Sequence, residues 1–168
     1  AAMEALAVQA WVYGPGIPAN CPRATSTALA RAEGEVARFL SDTPARSLDT
    51  SGFTTQQWQS FLRKLPADVT QEQMAELDLA FALSTRGNSE VLFAWLHQSV
   101  LHRHEPAFPA LERFLTSQGR RKFLKPLYQE LAKSDWGKAL ARRIYEKARP
   151  TYHAVSRDTI DGLLQWGK

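Results

Sequence analysis

The sequence predicts an all-α protein, a two-layer α-α superhelix (an armadillo/HEAT-like solenoid) of about eight or nine helices. Three observations carry that expectation. Helix-start signals fall near positions 54, 88, 120 and 156, about 34 residues apart, and a second helix fits between each pair; this spacing is typical of stacked helical hairpins. One start grammar occurs twice: Thr54 with Gln57, and Thr70 with Gln73, each form a capping box preceded by an apolar residue that can staple the first turn. No alternating apolar–polar run is long enough to make a strand. No repeat consensus is visible, so the period speaks to shape alone.

The opening "AAMEALAVQAW" reads as the body of an apolar helix and lacks the basic region of a secretory signal. It suggests a chain excised from a longer one. The stretch "WVYGPGIPANCPR", residues 11–23, reads as an ordered linker. Pro15-Gly16 suits the middle of a type II turn, and Pro18 pushes Ile17 extended. The expected division is therefore 1–22 as the end of a preceding module and its Pro/Gly linker, with 23–168 as a helical domain.

The first helix of that domain, about 26–41, aligns Leu29, Ala32, Val36, Phe39 and Leu40. The next opens at Thr54, staples Phe53 onto Trp58, and buries Trp58, Phe61, Leu62 and Leu65. The third pairs Val69 with Met74 and continues into Leu77 and Phe81. After Arg86-Gly87-Asn88 comes a helix over 89–103, apolar nearly all round through Val91, Leu92, Phe93, Trp95, Leu96, Val100 and Leu101. Such a helix is buried on both sides and should be an inner member. A helix over 105–118 carries Phe108, Leu111, Phe114 and Leu115, confines Pro106 and Pro109 to its opening, and ends at Gly119 as a C′ glycine. The next bears Phe123, Leu124, Leu127, Tyr128 and Leu131, with Pro126 tolerable only near its start. Asp135 should cap a helix over 136–149 with Trp136, Leu140 and Ile144; Ser156 should cap a short last one with Ile160, Leu163 and Leu164. Trp11, Trp58, Trp95 and Trp136 read as core, while Trp166 in the tail carries no information.

A chain of 168 residues with 44% hydrophobic and 23% charged residues fits one ordinary globular domain. The net charge of +4 is basic, but acids are interspersed throughout and no basic stripe or arm appears. Nucleic acid is therefore not an expected partner. Nor is a membrane, since no apolar run approaches the roughly 20 residues a span requires. Cys21 is the only cysteine, which excludes an internal disulfide and a multi-cysteine metal site. His97, His102, His104 and His153 include no i, i+4 pair, and H-E-x-x-H, G-x-S-x-G and a phosphate-binding glycine loop are all missing. The histidines read as surface or helix-end residues. No catalytic or metal residue is assigned.

One stretch breaks an electrostatic rule. "SQGRRKFLKP", residues 117–126, places Arg120, Arg121, Lys122 and Lys125 at the start of a helix. A helix N-terminus already carries partial positive charge, so each cation there costs a few tenths of a kcal/mol. A carboxylate seated among them would reverse the sign, meeting oriented N–H groups and cationic side chains together. Charge-assisted bonds of that kind contribute about 1.5–3 kcal/mol each. The alternative is a solvated basic surface.

Several stretches resemble the C-terminal domain of the leukotriene-A hydrolase and aminopeptidase B family of zinc aminopeptidases. "WVYGPGIP" (11–18) is similar to that family's W-x-Y-x-P-G-x-P segment, and "NSEVLFAWL" (88–96) and "SQGRRKFLKPLYQELA" (117–132) to its helical stretches. The resemblance implies a two-layer helical domain that walls one side of the cleft of a larger metallopeptidase. Zinc and all chemistry would reside in a preceding catalytic domain, so this chain alone, without H-E-x-x-H, should be inactive and hold no cofactor. The partners implied are the N-terminal and catalytic domains of the same polypeptide and a short peptide substrate. The family's G-R-x-K segment matches Gly119, Arg120 and Lys122, and implies that Arg120 and Lys122 bind the substrate's free carboxylate (or that of a lipid epoxide, in members with that second activity). Gly119 and Lys125 would support them, and Arg121 falls at a variable position. The compartment stays open, the cytoplasm favoured and the periplasm compatible. Two other functions compete: a helical-repeat scaffold for a protein partner, and a basic nucleic-acid module.

Overall fold

A computed structural model of the chain describes residues 6–22 and 25–167. Among the described residues there are nine α-helices and no strand. They are α1 (Val8–Tyr13), α2 (Thr27–Leu40), α3 (Thr55–Arg63), α4 (Gln71–Phe81), α5 (Ser89–Leu101), α6 (Phe108–Ser117), α7 (Arg121–Leu131), α8 (Asp135–Ala148) and α9 (Ala154–Leu164). Single 3₁₀ turns at Ala45–Ser47, Leu83–Thr85, Glu105–Ala107 and Arg149–Thr151 link several of them.

Both capping boxes form as read: Thr54 and Thr70 accept from the N–H three residues on, and Gln57 and Gln73 bond back. The two layers also form. Helices α2, α3, α5, α7 and α9 lie side by side in one layer, while α4, α6 and α8 run back in the other. Hydrogen bonds show that the first layer is parallel. At the N-terminal edge Asn88 donates to Thr55 Oγ1 at 3.0 Å; at the opposite edge His102 Nε2 lies 2.8 Å from the Pro66 carbonyl. Gln57 likewise reaches the Ala28 carbonyl near the starts of α2 and α3.

The inner position of α5 holds. Val91, Ala94, Trp95, Leu96 and Val100 are buried, with Trp95 at 0% exposure. Trp95 keeps its one polar atom satisfied: Nε1 donates to Ser84 Oγ at 2.9 Å, and that hydroxyl donates to Asp78 at 2.6 Å. His104, expected near the surface, is buried edge-on to the Trp95 ring, with Nδ1 3.2 Å from Gln71 Oε1. The first helical stretch reads differently: α1 buries none of its residues and Trp11 is exposed. The helix reaches Tyr13, so the linker begins at Gly14; Gly16 takes φ 79°, as a type II turn needs. Residues 1–5 of the expected opening helix lie outside the described residues.

Other expectations change for identifiable reasons. Helix α2 is the last of its layer, so Leu29 and Leu40 are exposed, and Glu35 is buried instead. Its carboxylate accepts from Arg38 and from the Asp49 N–H at 2.9 Å. Leu101 is exposed at the end of α5. Ser134, not Asp135, caps α8, and His153, not Ser156, caps α9. Trp166 is not an idle tail residue: Gln165 turns back at φ 49°, setting the indole 5.1 Å from the Tyr145 ring and under Arg142. The α8–α9 junction is further fastened by Arg149, which donates two bonds to Asp161, and by Tyr145, whose hydroxyl reaches the same carboxylate at 2.7 Å.

Gly137, in the first turn of α8, shows how tightly the layers close. A Cβ there would lie 2.1 Å from the Leu131 carbonyl oxygen and 2.8 Å from Ser134 Oγ. Alanine is the better helix former by about 1 kcal/mol, yet the contact is with backbone and cannot yield. Gly137→Ala should therefore destabilise the domain by about 2 kcal/mol, as overpacking does, measured as a fall in the urea midpoint. A stabilised variant would refute the packing described.

Candidate functional site

The stretch that breaks the electrostatic rule sits at the N-terminal edge of the parallel layer. Helix α6 stops at Ser117, and Gln118 is already extended at φ −93°, ψ 130°. Gly119 follows at C′, but not in the left-handed conformation expected of a helix-stop glycine, and a Cβ there would meet nothing within 4 Å. Arg120 is the N-cap of α7, extended at φ −78°, ψ 115°. No side chain caps this helix and no acid lies in its first turn. Pro126 sits inside α7, so the Lys122 carbonyl receives no helical N–H from it, yet the helix continues to Leu131.

What holds this turn is a set of bonds to both neighbouring helices. Gln118 donates to Ser89 Oγ on α5 at 3.3 Å, Ser156 on α9 donates to the Gly119 carbonyl at 3.0 Å, and Arg121 donates to Thr159 on α9 at 2.9 Å. Ser156 thus holds the candidate segment rather than capping its own helix. Arg121 is turned to α9, away from its neighbours.

Arg120 and Lys122 share a platform. The Arg120 guanidinium lies 5.9 Å and Lys122 Nζ 4.7 Å from the centroid of the buried Phe123 ring. Both side chains belong to exposed residues. Lys122 donates to the Glu90 carboxylate on α5, whose other oxygen accepts from Gln59 on α3 at 3.2 Å. Arg120 forms no ion pair among the described residues. Lys125 lies one turn further along α7, half-buried, and likewise forms none. Glu90 escaped the reading of the sequence, although it stands 32 residues before Lys122, close to one period.

The Lys122 bond, ahead of its charge and of the more distant Arg120, holds the Glu90 carboxyl below the usual carboxylate range. A depressed carboxyl favours the folded state above its unfolded pKa, and that contribution fades as the pH falls through the folded value. Carbon-detected NMR titration should give Glu90 a midpoint below that of an ordinary glutamate, and Lys122→Met should move it upward. A midpoint unchanged by Lys122→Met would contradict the pairing.

Among the described residues no three His, Cys, Asp or Glu side chains converge to hold a metal ion. No helix among them is long and apolar enough to cross a membrane.

Comparison with known proteins places these features. The family model described as leukotriene A4 hydrolase, C-terminal, matches residues 53–164. Leucine aminopeptidase 2 of Yarrowia lipolytica is 28% identical over 166 residues, covering 92% of this chain and 25% of that protein. Leucine aminopeptidase 2 of Neurospora crassa is 31% identical over 122 residues, covering 71% and 18%. The structure of native yeast LTA4 hydrolase matches with a TM-score of 0.75 over 97% of this chain and 30% of that one, at 24% identity, a likeness of fold. The chain spans about a quarter of the length of the curated relatives it matches. With the family model covering α3 through α9, the chain belongs to the leukotriene A4 hydrolase C-terminal domain family.

Proposed function

We propose that this chain is the non-catalytic C-terminal domain of a zinc aminopeptidase acting on short peptides, and that Arg120 and Lys122 receive the substrate's free carboxylate. The relatives named leucine aminopeptidase 2 support the parent activity. The single observation that carries the site is the uncapped start of α7, with two cations on one aromatic platform and no acid in the first turn. Zinc and the hydrolytic step would belong to a catalytic domain outside this chain. Here the domain walls the cleft and selects for length, because a carboxylate is found at a fixed distance only in a short peptide.

The two cations divide the work. Arg120, free of any ion pair among the described residues, can offer two parallel N–H groups to a carboxylate. Lys122 spends one of its three donors on Glu90, which fixes its place, and keeps others for a ligand. The missing side chain at Gly119 leaves the approach open, and Lys125 adds positive charge from the next turn. In this reading residues 1–22 close the preceding catalytic module. Leu6, Val12, Tyr13 and Ile17 are between 62% and 80% exposed, apolar surface that such a module would cover.

In the full-length enzyme Arg120→Ala should raise KM for tripeptides and lower kcat/KM by roughly 10- to 100-fold, the worth of one or two charge-assisted bonds. Tripeptide amides, which lack the carboxylate, should be little affected. Equal losses on acids and amides would overturn the assignment.

A further inference from the structure

Glu90 brings to the cationic turn a charge of the same sign as the ligand that turn is read to receive. Its carboxylate comes from the first turn of α5 and crosses to α7, where Lys122 donates to one oxygen; Gln59 on α3 donates to the other at 3.2 Å. Three adjacent helices of the parallel layer thus meet at one carboxylate. Neither partner of the ion pair is sealed off, the Glu90 side chain being 36% and the Lys122 side chain 48% exposed. The Lys122 bond does most to hold the carboxyl ionised; slight burial opposes it, while the Lys122 charge, the Gln59 bond and the Arg120 charge add to it. Glu90 therefore feels both cations of the candidate site.

A resident carboxylate changes what the turn offers a ligand. Arg120 and Lys122 carry two positive charges, and Glu90 offsets one of them. An incoming carboxylate has to share Lys122 with Glu90, and two like charges on one ammonium repel each other. Weakening the hold has a chemical use, because this carboxylate is remote from the bond that is cut. An aminopeptidase removes the N-terminal residue of a tripeptide, and the dipeptide left behind carries the same C-terminal carboxylate. Whatever grips that group binds substrate and product alike; it lowers KM without speeding the chemistry, and it retains the product.

We propose that Glu90 is an internal competitor for the carboxylate site: it shares Lys122 with the C-terminal carboxylate of the peptide and so loosens the hold on tripeptide substrate and dipeptide product together. The inference rests on the reading of Arg120 and Lys122 as that site. Competition and simple positioning differ in sign. Removing the charge of a competitor tightens carboxylate binding, whereas disturbing a residue that only positions Lys122 weakens it.

The test is Glu90→Gln in the full-length enzyme, which keeps the side chain's length and an oxygen for Lys122 while removing the charge. The position is half-exposed and Asn88 still caps α5, so the variant folds, as an unchanged melting curve would confirm. KM for Leu-Gly-Gly should fall about three- to fivefold, the size of an exposed ion-pair effect. The inhibition constant of the product Gly-Gly should fall by the same factor, and KM for Leu-Gly-Gly amide should hardly move. In a Lys122→Met background the gain should largely vanish, because the shared cation is gone. A KM for Leu-Gly-Gly that rises or stays level, an equal fall for the amide, or a gain that survives whole in Lys122→Met would overturn the proposal. If Arg120→Ala still separates peptide acids from amides in that event, the carboxylate site stands and the competitor alone falls; if it does not, both fall.

Discussion

Everything in this domain depends on α5 being apolar nearly all round. Its apolar residues surround the axis, so it must be enclosed by α3 and α7 at its sides and by the second layer behind. Burying Trp95 alone contributes on the order of 3–5 kcal/mol judged by what truncation costs in such places. In this chain the neighbours that enclose it on either side lie about one repeat away in sequence and run parallel to it. That arrangement gives the layer its parallel order and brings the starts of α3, α5, α7 and α9 to one edge.

Bringing helix starts together has an electrostatic cost that the chain meets locally. At three of these four starts a side chain caps the exposed N–H groups: Thr54 at α3, Asn88 at α5 and His153 at α9. At α7 none does. The turn there is secured from outside, through Ser89, Ser156 and Thr159. The contrast is what the proposed carboxylate-binding role of Arg120 and Lys122 rests on. Along this edge the other starts are capped from within, and the α7 start is held by its neighbours instead.

Part of this was legible in the residues. Capping boxes are signals closed within four residues, so Thr54–Gln57 and Thr70–Gln73 could be read without knowing anything else. The period was legible because it repeats. What escaped were assignments decided between elements. Ser156 looks like a cap by composition, but the Gly119 carbonyl arriving from α6 claims its hydroxyl. Leu29 and Leu40 lie on the apolar stripe of α2, yet that helix has a neighbour on one side alone. Trp166 looked idle because the left-handed turn at Gln165 that folds it onto Tyr145 has no glycine to announce it.

By itself, then, the sequence determined where helices begin, which one is greasiest, and that four cations crowd a helix start, because these follow from local spacing and the amphipathic period. Tertiary structure alone decided which polar groups meet: Glu90 with Lys122, Ser156 with Gly119, and Arg121 with Thr159. Those pairings join residues about one repeat apart. A chain specifies them only after the parallel layer has closed, since hydrogen bonds act over about 3 Å while the residues concerned lie tens of positions apart.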